Sequence, residues 1–131
     1  MLERFKVPEN IAIRVHQEDM RKTIEEIFMK MQMSQEDSRQ AADVLIYADL
    51  RGIESHGVSN MMKNYIEMFK DGTINPNPKT NIIRESMAVA SIDSDRGHGL
   101  VVGPLDMKMA IERAGKYGIG AITVTNGAHF G

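Results

Sequence analysis

Two histidines carry most of the chemistry this sequence could perform, and they lie far apart in the chain. His56 sits in "ESHGVSN" (Glu54–Asn60), directly after Ser55 and before a glycine, and His129 sits in "TNGAHFG", just past a run of Ile, Val and Thr. Imidazole changes protonation near neutral pH, so either ring can act as a general acid or base without extreme tuning. Ser55 beside His56 adds a hydroxyl that could serve as a relay or, in a less favoured reading, as a hydrolytic nucleophile. On a regular helix, however, adjacent side chains diverge by about 100°. The pair can form a relay only at an irregular turn, with a third group supplied from elsewhere. Plainer readings stand beside these: a helix N-terminal serine with a surface histidine at Ser55–His56, and an ordinary loop histidine at His129.

Other groupings carry less. "GHGLVVG" (Gly97–Gly103) follows an expected strand and opens an expected helix, yet its third glycine is one place late for G-x-G-x-x-G. No acidic residue ends the following strand near Thr125, so a standard Rossmann site is disfavoured. The expectation is that these glycines make a tight turn, with helix-terminal N–H groups able to receive an anion. The four histidines, His16, His56, His98 and His129, lack the i, i+3 or i, i+4 spacing that lets one helix offer two metal ligands. No metal site is expected.

The elements that would position these residues can be read from periodicity. Met20, Ile24, Ile27, Phe28 and Met31 recur at threes and fours over Glu18–Met33, an amphipathic helix. Ser34 with Asp37 opens a second, whose buried stripe is Ala41, Ala42, Leu45, Ile46 and Ala48 and whose exit is Arg51–Gly52. A third carries Val58, Met61, Met62, Tyr65, Ile66 and Phe69 and stops near Gly72. "DGTINPNPKT" reads as an extended connection and a domain boundary. Beyond it come short strands at Asn81–Arg84 and Ala88–Asp93, a helix from Val101 to Tyr117 ended by Gly118, and a buried-type strand in "GIGAITVTN". A strand-helix-strand unit needs further layers to bury both of its faces, so the chain reads as part of a longer protein.

Composition bounds the function. The 131 residues are 42% hydrophobic and 26% charged, with a formal net charge of −2, the balance of a soluble globular chain. No Lys/Arg cluster reaches the density of a nucleic-acid footprint, and no apolar run is long enough for a membrane span or a signal peptide. With no cysteine, disulfides and thiolate metal sites are excluded and the cytoplasm is the expected compartment. Eleven methionines fall largely on helical apolar faces, where Met fills core gaps. The alternative, a non-catalytic helical interaction module, would use them as a partner surface.

Taken together, "ADLRGIESHGVSN", "FKDGTINPNP", "AVASID" and "AIERAGKYGIGAITVTNGAHFG" resemble, in order and spacing, the N-terminal portion of the malate/L-lactate dehydrogenase-like family. Ureidoglycolate, sulfolactate and imino-acid-reducing enzymes belong to that group. The resemblance runs from about Glu18 to Gly131. It implies an α/β (α+β) chain: an N-terminal helical part of the substrate-side domain (1–75), then the opening of a mixed, non-Rossmann nucleotide-binding domain (76–131). It further implies hydride transfer between NAD or NADP and a small 2-hydroxy or 2-oxo acid, in a homodimer. By the same resemblance His129 is the proton donor or acceptor at the substrate. Ser55 and His56 form a relay whose aspartate partner lies beyond residue 131, with His56 also against the nicotinamide. Many members place an arginine four residues after the first histidine to hold a substrate carboxylate, whereas this chain has Asn60 there. Arg51 or Lys63 would have to compensate, or the substrate differs. On this reading the 131 residues alone are expected to be inactive.

Overall fold

The structure is a computed structural model that describes residues 3–130. The chain divides into two compact units, one up to Asp71 and one from Gly72. Each is described by itself.

Among the described residues the first unit holds three α-helices. Helix α1 (Gln17–Lys30) is capped by the His16 ring, whose Nδ1 accepts from the Glu18 N–H, and it ends when Gln32 turns to φ 72°. Helix α2 (Gln35–Leu50) opens at Ser34, whose hydroxyl accepts from the Asp37 N–H at 3.1 Å and donates to the Asp37 carboxylate at 2.8 Å. Helix α3 (Val58–Lys70) closes the unit, and Gly72 follows it with φ 79°. The core is the predicted apolar stripes: Ile24 and Phe28 of α1, Ala41, Ala42, Leu45 and Ile46 of α2, and Met62 and Tyr65 of α3. The Phe28 and Phe69 rings meet edge to face with centroids 6.1 Å apart, a geometry favoured by the ring quadrupoles. Burial pushes the Tyr65 phenol up to about 12.

The second unit is a three-stranded sheet with one helix. Strands β1 (Asn81–Glu85) and β2 (Val89–Asp93) form an antiparallel hairpin with an irregularity between Ile82 and Arg84. Helix α4 (Gly99–Tyr117) then crosses over to β3 (Ala121–Thr125), which pairs with β2 in parallel from Val89↔Ala121 to Asp93↔Thr125. Arg113 ties the helix to the hairpin by donating to the Ser86 and Met87 carbonyls and to the Glu85 carboxylate at 2.7 Å. Among the described residues no helix is long and apolar enough to cross a membrane.

One expectation changes. Helix α4 begins at Gly99 rather than Val101, because the His98 ring caps it. In strand β3 Ile122 and Val124 are half-buried while Ala121, Thr123 and Thr125 are exposed. Among the described residues the strand order is β1-β2-β3.

The interior of α4 also carries an exposed glycine, Gly115, around which a methyl group would meet nothing within 4 Å. Backbone freedom in the unfolded chain is its only consequence, so Gly115→Ala is expected to stabilise the protein by about 0.5–1 kcal/mol. Chemical denaturation with an unchanged slope would measure it.

Candidate active-site histidines

The turn that carries Ser55 and His56 is built from both of its flanks. On the upstream side α2 ends in a Schellman motif: Gly52 takes φ 68°, its N–H bonds to the Asp49 carbonyl, and the Ile53 N–H reaches the Ala48 carbonyl at 2.9 Å. The chain then makes a 3₁₀ turn over Glu54–His56 and enters α3 at Val58. That first turn of α3 has no cap from its own N-cap residue, Gly57. Asp49 caps it instead, from the end of α2, accepting from the Val58 N–H at 3.0 Å. Asn60 braces the turn from below, its amide donating to the Glu54 carbonyl at 2.8 Å.

This irregular backbone brings Ser55 Oγ within 2.9 Å of His56 Nδ1. The two adjacent side chains therefore meet at a 3₁₀ turn rather than on a regular α-helix. If the serine donates, the ring proton sits on Nε2. If Nδ1–H donates, Nε2 is left as the acceptor. The hydrogen bond holds the ring in both cases, and the tautomer decides whether Nε2 is a hydrogen-bond donor or acceptor.

Gly57 is required by the same capping group. A Cβ there would fall inside the Asp49 carboxylate, so any side chain drives that carboxylate off the Val58 N–H. The expected cost of Gly57→Ala is about 2 kcal/mol, roughly half from the lost cap and half from overpacking. A lower denaturation midpoint would register it. Burial also raises the Asp49 pKa, against the hydrogen bond from Val58, and the nearby Glu54 charge adds to the rise.

The three residues considered for a substrate carboxylate each have their own partners. Asn60 holds backbone carbonyls, Arg51 stacks over the Tyr47 ring at 3.2 Å from its centroid, and Lys63 lies 3.9 Å from Glu67 with most of its side chain exposed. A pocket of about 380 Å³ flanks the turn, lined by Ile13, Val15, Ile46 and Val58 together with Asp49 and Glu54. Arg14 also lines it, so its wall carries charges of both signs.

In the second unit the loops after the parallel strands β2 and β3 are laced together. Asp93 accepts from the Asp95 N–H and from the Asn126 side chain at 3.0 Å, which together hold its carboxyl below the usual range. The Arg96 N–H and the Ser94 hydroxyl both donate to the Asn126 carbonyl, at 2.7 and 2.9 Å. Asp95, Arg96 and Asn126 all take positive φ, an uncommon conformation that clusters at functional sites. His129 follows in the second of these loops, with its side chain exposed. The carboxyl ends of parallel strands are where open sheets place their ligands.

His98 was set aside by its spacing, yet it is the most buried histidine, only 2% exposed. Its Nδ1 accepts from the Leu100 N–H at 3.2 Å, and burial, with His129 nearby, lowers its pKa to about 4. It is therefore neutral at physiological pH. The sequence signal for that role was its place just before the helix; asparagine or serine is the usual residue there.

The glycines of "GHGLVVG" do not form the expected tight turn. The turn is made one step earlier, where Asp95 and Arg96 carry the positive φ values and the Gly97 N–H closes onto the Ser94 carbonyl at 2.8 Å. The space over Gly97 is filled by Val102, and that over Gly99 by the backbone of His129 and Phe130. Among the described residues no three His, Asp or Glu side chains gather as a metal site.

The family described as malate/L-lactate dehydrogenase matches residues 15–131, nearly the whole chain. This chain belongs to that family. Over all 131 of its residues it is 43% identical to a malate dehydrogenase of Pyrococcus abyssi, covering 36% of that protein. It is 41% identical over 114 residues to an L-sulfolactate dehydrogenase of Methanocaldococcus jannaschii, covering 87% of this chain and 33% of the relative. The structure of malate dehydrogenase from Pyrococcus horikoshii superposes with a TM-score of 0.90 at 41% identity, over 96% of this chain and 36% of that one. The chain thus spans about a third of the length of the relatives it matches. The α/β fold and the family resemblance read from the motifs both hold.

Proposed function

We propose that this chain supplies the proton-handling side of an NAD(P)-dependent oxidoreductase acting on a small 2-hydroxy acid and its 2-oxo partner, within a cytoplasmic homodimer. The helical unit would belong to the substrate side and the sheet unit to the nucleotide-binding domain. One observation supports this most: His129 follows a parallel strand of a malate/L-lactate dehydrogenase family chain, in a loop tied to the neighbouring strand's loop.

His129, exposed at the carboxyl end of β3, would take the proton of the substrate hydroxyl in oxidation and return it to the carbonyl oxygen in reduction. Ser55 and His56, joined by a 2.9 Å hydrogen bond, would form a proton relay within the helical unit. Nicotinamide, when bound, is the hydride carrier. His56 would stand against the nicotinamide. Arg51 and Lys63 remain the candidates for the substrate carboxylate. Arg51 is the better suited in chemistry, since a guanidinium matches a carboxylate with two parallel bonds.

A chimera tests this directly. This chain would replace the matching third of the Pyrococcus horikoshii malate dehydrogenase, and the product would be assayed with NADH and NADPH against oxaloacetate and pyruvate. Turnover of at least one 2-oxo acid is expected. A folded chimera that turns over none of them would remove the proposal.

A further inference from the structure

The run Gly97–Gly103 fails as a nucleotide fingerprint, yet the atoms that fill the space over its glycines have a use. We propose that Gly99, helped by Gly103, is a cradle that fixes the His129 loop, so that Gly99 is a positioning residue for the acid–base histidine. This rests on the role assigned to His129 above.

A Cβ on Gly99 would lie 2.6 Å from the His129 carbonyl carbon and 2.7 Å from the Phe130 Cα. Real Cβ atoms do not approach so closely, and these neighbours are backbone atoms that cannot swing aside as a side-chain tip can. One helical turn further on, a Cβ on Gly103 would lie 3.0 Å from Cδ1 of the Phe130 ring. The Ala128 N–H completes the seat by donating to the Gly97 carbonyl at 3.2 Å. The loop therefore rests on the first turns of α4 at consecutive points from Ala128 to Phe130. Neither Gly99 nor Gly103 has a positive φ, so conformational freedom does not explain them. Close approach does.

The arrangement meets two demands that usually conflict. A group that exchanges protons with a substrate has to stay accessible, and the His129 side chain is exposed. It also has to be held, because a displacement of about 1 Å can cost a hundredfold in rate. Seating the backbone on glycine fixes the residue and leaves it exposed.

Gly99→Ala, Gly103→Ala and Gly115→Ala in the 131-residue protein separate this from a general effect on α4. NMR would follow the ring titration of each histidine and the exchange of the Ala128 amide, with circular dichroism to confirm folding. In Gly99→Ala the His129 titration midpoint is expected to move and the Ala128 exchange to rise about tenfold, as for a locally released segment. The His16 titration stays in place. Gly103→Ala is expected to act in the same direction more weakly, because a ring can yield, and Gly115→Ala should change neither readout. The proposal is overturned if Gly99→Ala leaves His129 and Ala128 as in the parent, or if Gly115→Ala reproduces the change. Should Gly99→Ala fail to fold, Gly103→Ala decides by the same two readouts. Neither readout needs turnover, so failure of the cradle and failure of the catalytic role of His129 remain distinguishable.

Discussion

Replacing His129 by alanine in the chimera is expected to lower kcat by about 10²–10⁴ while leaving the fold intact, the range typical for loss of a positioned general acid–base. The fold should survive because the ring is exposed and what the structure holds is the backbone of the loop, through Gly97, Gly99 and Gly103. KM should change little, since the ring is asked to move a proton and not to hold the carboxylate. The matched control is His16→Ala, which removes a histidine that only caps α1 and should leave turnover as it was. The pH profile gives a second readout: the limb governed by the imidazole should vanish with the ring. Equal kcat in the parent chimera and His129→Ala would assign the proton to another group, and His56 would be the next to replace.

Local signals in the sequence were enough for the helix ends. Ser34, Gly52, Gly72 and Gly118 mark caps whose partners lie within a few residues, and each acts where its type predicts. The requirement for an irregular turn at Ser55–His56 was also legible, because adjacent side chains on a helix cannot face each other. The cause of that turn was not. It depends on Asp49 reaching across to Val58 and on Gly57 leaving room for the carboxylate, a contact between helices with no pattern of its own. Strand β3 was legible in the same way: Ile, Val and Thr announce a strand, and among the described residues it pairs with β2. Gly99 was visible as a glycine and misassigned to a turn, since its true neighbour arrives only after the whole α4–β3 crossover. Spacing likewise hid His98, whose role is to cap a helix end while buried.

That buried cap makes stability depend on pH in a window set by two values. Unfolded, the His98 ring titrates near the ordinary 6.5; folded, burial and the neighbouring His129 lower it to about 4. Between these values the unfolded chain binds a proton that the folded chain refuses, so the stability is fully present above 6.5 and is lost as pH falls toward 4. Linkage puts that loss at about 2.5 kcal/mol between roughly pH 7.5 and 4.5. The total pH response will differ, because Asp49 and Asp106 have raised values and shift stability the other way at the acid end, while Asp93 has a lowered one and adds to the loss. The discriminating quantity is therefore the difference between the parent and His98→Asn, which keeps an acceptor for the Leu100 N–H but cannot charge. His98→Asn should start less stable at neutral pH, because it leaves space where the ring was, and should converge on or overtake the parent as the solution is acidified. Denaturant midpoints taken every half unit from pH 7.5 to 4.5 would show the two curves closing. Parallel curves would mean that His98 takes up its proton in the folded state as readily as in the unfolded one, and that the helix start is open to water.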